Sequence, residues 1–93
     1  MTTIKIIKDS RKKDMWIELE TNRYQIFAKV FDEGSEYGIR NGRISKLQII
    51  DSNSSFSDPL YNYDRGLDVD VMDEADLNKI INYLENLNKV SGE

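Results

Sequence analysis

A stripe of apolar residues at helical spacing closes the chain, and nothing before it repeats that spacing. Leu77, Ile80, Ile81, Leu84 and Leu87 fall at i, i+3, i+4, i+7 and i+10, one face of an amphipathic helix. Asp73 is placed as its N-cap, with Glu74 and Asp76 in the first turn, where carboxylates favour the positive helix start. Met72 and Leu77 bracket that cap as a hydrophobic staple. Every apolar segment upstream alternates instead. A chain with one such helix after a series of strands must lay it on one face of a sheet, which is an α+β arrangement.

The alternation is cleanest in two runs. In Met15–Glu20, Met15, Ile17 and Leu19 point one way while Trp16, Glu18 and Glu20 point the other. Tyr24–Phe31 does the same with Tyr24, Ile26, Ala28 and Val30, and Thr21-Asn22-Arg23 is a natural turn between the two. Asn41-Gly42 predicts a type I′ hairpin turn, since both of its central residues need positive φ. Arg43–Ile50 follows as a central strand, and the polar stretch Asp51–Pro59 as a mobile connection. Leu60–Val71 is read as one strand kinked or bulged at Gly66. Ile4, Ile6 and Ile7 form a short edge strand, with Arg11-Lys12-Lys13 a solvated turn beyond it. The expected fold is one domain over residues 1–93, an antiparallel meander of about five strands with a C-terminal helix on one face. Residues 1–13 are the edge strand and basic turn, 14–71 the sheet and 73–89 the helix.

Composition narrows the chemistry. The 93 residues include no cysteine and no histidine, so thiolate metal sites, disulfides and the commonest neutral-pH general base are all excluded. No apolar run approaches the roughly 18 residues that a bilayer requires. The net charge of −4 divides unevenly: residues 1–50 carry +3 and residues 51–93 carry −7. A wholly basic nucleic-acid binder is disfavoured, while an acidic face for a basic partner is not.

Two constellations can carry function. Arg40 and Arg43 flank the Asn41-Gly42 turn, and in a two-residue turn they oppose each other on one face. Like charges so placed call for an anion. That anion is either an internal carboxylate such as Glu36 or Asp64, or a phosphate-bearing ligand gripped by guanidinium forks. Lys46 projects from the opposite face of a regular strand and joins them only through a bulge or by contribution across a subunit interface. In Tyr61-Asn62-Tyr63-Asp64-Arg65-Gly66, Tyr61 and Tyr63 share a face and Arg65 adds a third guanidinium. The tyrosines either stack on a base or pack against the helix. Asp64, Asp68, Asp70, Asp73, Glu74 and Asp76 crowd one stretch without any metal-binding loop pattern, so capping and solvation account for them and no metal site is expected.

Gly42-Arg43-Ile44-Ser45-Lys46-Leu47 and Tyr63-Asp64-Arg65-Gly66, with the surrounding residues 15–87, resemble a family of small uncharacterised proteins. These are encoded by bacteriophages and prophages of Gram-positive bacteria. Leu67 stands where that family often carries Trp. The resemblance implies a phage accessory protein acting in a bacterial cytoplasm, and no particular mechanism. Together these features predict a non-catalytic, homo-oligomeric binding protein without cofactor, membrane or direct nucleic-acid contact. Arg40, Arg43, Lys46, Tyr61, Tyr63 and Arg65 would hold a phosphorylated nucleotide-type host defence signal. The alternative is an inhibitor whose acidic surface, Asp64 through Asp76 with Glu85, imitates nucleic-acid phosphates and docks on a host defence protein.

Overall fold

A computed structural model describes residues 3–53 and 58–90. Six strands pair antiparallel in chain order: β1 (Lys5–Ser10), β2 (Trp16–Glu20), β3 (Tyr24–Val30), β4 (Ile44–Asp51), β5 (Tyr61–Asp64) and β6 (Leu67–Asp70). A short helix α1 (Arg11–Asp14) joins β1 to β2, and α2 (Glu74–Glu85) closes the chain. The architecture is therefore α+β, a meander sheet with a C-terminal helix packed against it.

Alternation decides which side of the sheet the helix covers. Ile17, Leu19, Tyr24, Ile26, Ala28, Val30, Leu47, Ile49 and Tyr61 are buried on one face. Against them α2 places Leu77, Ile80, Ile81 and Leu84. Fully burying an aliphatic side chain contributes about 1.5–3 kcal/mol, so this interface is the main source of cohesion. Asp73 caps α2 as expected, its carboxylate accepting the Asp76 N–H at 3.0 Å. The helix-side tyrosine Tyr24 donates to Asp76 at 2.7 Å and fastens β3 to that first turn.

Four expectations need correction. Leu60–Val71 is a hairpin rather than one kinked strand, which brings the meander to six strands. Arg65 takes the left-handed conformation (φ 61°) beside Gly66, letting the chain reverse there. The I′-like turn sits one residue earlier than Asn41-Gly42. Arg40 (φ 56°) and Asn41 (φ 59°) adopt positive φ, and Gly42 donates to the Ile39 carbonyl at 2.9 Å. Gly42 itself is extended, and its missing Cβ leaves room for the Glu85 carboxylate, which accepts the Arg43 N–H. Arg40 and Arg43 are consequently not an opposed pair.

The basic turn is the third correction. Arg11 is buried, its guanidinium paired bidentately with Asp9 at 2.9 Å and donating to the Asn88 carbonyl at 2.8 Å. That guanidinium holds the Asp9 carboxyl below its ordinary range. Finally, α2 ends at Glu85 rather than at residue 89, and Lys89 pairs with Glu33 at 2.6 Å. The connection expected at Asp51–Pro59 lies, at residues 54–57, outside the described residues.

Candidate functional site

Among the described residues, no helix lies over the sheet face opposite α2. Strand register assembles it in rows. Ser10, Trp16, Lys29, Lys46 and Asp64 are successive cross-strand neighbours in one row. Lys8, Glu18, Phe27, Gln48, Asn62 and Val69 form the next. Lys29 and Lys46 thus stand directly opposite each other, an arrangement of like charges that disfavours the sheet unless an anion relieves it.

A bulge brings a third cation to the pair. Val30 pairs with Ile44 and Lys29 with Lys46, which leaves Ser45 as the extra residue of β4. The Ser45 carbonyl accepts the Arg65 N–H at 3.2 Å, fixing the β5–β6 turn beside Lys46. Arg65 then lies with its Cζ 6.0 Å from the centre of the Tyr37 ring, within cation–π range. On the other flank, Lys29 Nζ sits 5.6 Å from the centre of the Phe31 ring. Lys29, Lys46, Arg65, Phe31 and Tyr37, with Ser35 and Ser45, line a cleft of about 480 Å³. That volume falls within the range of small-molecule sites.

The loop carrying Phe31 and Tyr37 is built rather than merely tethered. Phe31 N–H donates to the Arg43 carbonyl at 2.9 Å and Ser35 N–H to that of Gly42 at 3.1 Å. Gly38 passes so close to this second limb that a Cβ would collide with the Gly42 carbonyl oxygen. The Tyr63 hydroxyl donates to the Tyr37 carbonyl at 3.0 Å, and Tyr37 N–H to Ser35 Oγ at 3.2 Å. Tyr37 is therefore held from both sides while its side chain is 56% exposed. Exposed aromatic surface beside cations is what a stacking ligand requires.

Two carboxylates come near: Glu33 lines the cleft, and Asp64 lies beside Lys46 in the neighbouring depression. Glu33 is occupied by Lys89. Asp64 reaches Lys46 only at 3.7 Å, between side chains that are both substantially exposed, a geometry worth little in water. Among the described residues, Lys29 and Arg65 have no carboxylate partner within 4.0 Å.

Of the residues singled out from sequence, Lys46 and Arg65 meet in this cleft and Tyr63 supports it from beneath. Arg40, Arg43 and Tyr61 do not line it. Arg40 reaches α2 and donates to Asn78 Oδ1 at 2.6 Å. Arg43 closes the far end of the helix: Nη1 donates to the carbonyls of Glu85 (2.9 Å) and Leu87 (2.6 Å), and Nε to that of Phe31 (2.8 Å). These are the carbonyls a helix leaves without intrahelical donors, and a cation there suits the negative pole. Tyr61 is 4% exposed, a core residue whose burial raises its hydroxyl pKa. Lys29, Phe31 and Tyr37 were not anticipated. Parity could have found Lys29, since it shares the outer face with Trp16; nothing local marks Tyr37.

The acidic series is also partly engaged. Asp76 accepts from Tyr24 and pairs with Arg23 at 3.5 Å, and Glu85 accepts the Arg43 N–H at 2.9 Å. Asp64, Asp68, Asp70 and Glu74 are exposed. Another depression, of about 700 Å³, lies on the other side between Ile4, the α2 residue Tyr83 and Leu87 just past the helix. It holds one cation, Lys79, and offers no comparable charge cluster. Among the described residues no helix is long and apolar enough to cross a membrane.

Residues 15–86 match a family described as a domain of unknown function, DUF7678. No curated protein and no solved structure matches the chain. The match spans most of the sequence, and the chain belongs to the DUF7678 family.

Proposed function

We propose that this DUF7678 protein binds, without transforming it, a phosphorylated nucleotide-type ligand in the cleft of Lys29, Lys46 and Arg65. One observation carries the reading: three cations from three segments converge between two exposed aromatic rings, with the nearer carboxylates either occupied or weakly placed. Lysine and arginine supply charge and forked hydrogen bonds to phosphate. Tyr37 or Phe31 supplies a flat surface for the base. In a phage accessory protein of a bacterial cytoplasm, such binding would sequester a host defence signal, and a homo-oligomer would multiply the sites.

Isothermal titration with ADP, ADP-ribose and a cyclic nucleotide tests this. Binding is expected for at least one of them. Arg65→Ala and Lys46→Ala should each weaken it about tenfold or more, the scale of a lost charged hydrogen bond, with the melting temperature unchanged. No heat with any of the three in the unmodified protein would remove the proposal.

The exposed carboxylates Asp64, Asp68, Asp70 and Glu74 support a second reading, an acidic surface that occupies a basic groove of a host defence protein. Its mark is salt-sensitive capture of a protein partner that is lost when Asp68 and Asp70 are both changed to Asn. Capture that survives this double change would remove it.

A further inference from the structure

We infer that the ligand is of the dinucleotide class, with its second base seated on Trp16 and Phe27 of the open sheet face; this rests on the proposed reading of the cleft. Lys46 belongs to two depressions at once. One is the cationic cleft; the other, about 240 Å³, is bordered by Trp16, Phe27, Lys46, Gln48 and Asn62, with the exposed Asp64 carboxylate on the Lys46 side. Trp16 lies in the same row as Lys29 and Lys46, two strand spacings from Lys46, or about 10 Å. Charge at the centre and aromatic surface on either side follow the order base, phosphate, base.

The second depression has the chemistry of a base site. Trp16 and Phe27 are half-buried diagonal neighbours on adjacent strands. Gln48 and Asn62 are directly paired across β4 and β5, and Gln48 pairs with Phe27 across β3 and β4. Their amides carry both donors and acceptors, which a base edge needs and a phosphate does not. The surface also sets a limit. Beyond Trp16 the next hollow is bordered by Asp14 and Glu18 with Lys8, so a further phosphate there meets two carboxylates. A long single strand is therefore disfavoured where a dinucleotide fits.

Trp16 is the sole tryptophan, so its fluorescence reports this site alone. Titration with AMP, the linear dinucleotide pApA and a twelve-residue oligoadenylate separates the outcomes. We expect pApA to quench Trp16 and bind at least tenfold more tightly than AMP. Trp16→Thr should bring pApA down to the affinity of AMP, measured by calorimetry, while leaving AMP binding unchanged. Phe27→Thr, in a protein whose melting transition is intact, should act in the same direction. Equal affinity for AMP and pApA, or a pApA preference that survives both substitutions, would overturn the dinucleotide assignment and leave the cleft reading standing. Binding of the oligoadenylate far above pApA would overturn it in favour of a single strand. Failure of all three probes, together with ADP and ADP-ribose, would remove the cleft reading and this inference together.

Discussion

Two arginines, one expected in a solvated turn and one expected to hold a ligand, are spent on the protein itself. Arg11 and Arg43 both donate to carbonyls at the end of α2 or just beyond it, those of Asn88, Glu85 and Leu87. Arg43→Ala should therefore destabilise the fold by about 2–3 kcal/mol, because several hydrogen bonds to a charged group are lost at once. Arg43→Lys should recover less than half of that, since an ammonium cannot reproduce the planar fork. Urea unfolding of both variants checks the expectation, and nucleotide affinity in the folded Arg43→Ala protein should be unchanged. Tyr24 makes a separate prediction. Burial, reinforced by the Asp76 carboxylate, pushes its hydroxyl up to about 12. The unfolded chain ionises near the ordinary tyrosine value of about 10, so the contribution of Tyr24 is intact below that pH. It is lost as pH rises toward 12. Stability measured across this window should fall less steeply in Tyr24→Phe than in the unmodified protein.

Among the elements, those with an uninterrupted period were the legible ones. β2, β3, β4 and α2 follow from alternation or from the stripe at Leu77–Leu84, and the Asp73 cap from residue chemistry. Gly38, by contrast, lies where the loop crosses itself, and no local pattern announces a crossing. Gly38→Ala should cost about 1–3 kcal/mol, the scale of an overpacked site, and should weaken nucleotide binding by displacing Tyr37. Gly66→Ala, where an added Cβ meets nothing within 4 Å, should stay within about 0.5 kcal/mol of the unmodified protein. Thermal melts of the pair separate tight passage from simple glycine loss. The same reasoning explains the uneven legibility of the site. Lys46 and Arg65 sit in conspicuous motifs. Lys29, Phe31 and Tyr37 become neighbours of these only through the Ser45 bulge and the folded-back loop, which are relations between segments.

For the molecule as a whole, the strand order carries one more implication. Each strand lies beside its neighbours in the chain, so the sheet can zip forward from the N-terminus with short closures alone. By contrast, α2 and the segment after it must return from the far end to reach α1, β3 and the residue before β4. On the ribosome the sheet would therefore wait, apolar side uncovered, until α2 and the segment after it emerge. The interval between β6 and helix docking is the period in which this protein is most exposed to aggregation and to chaperones.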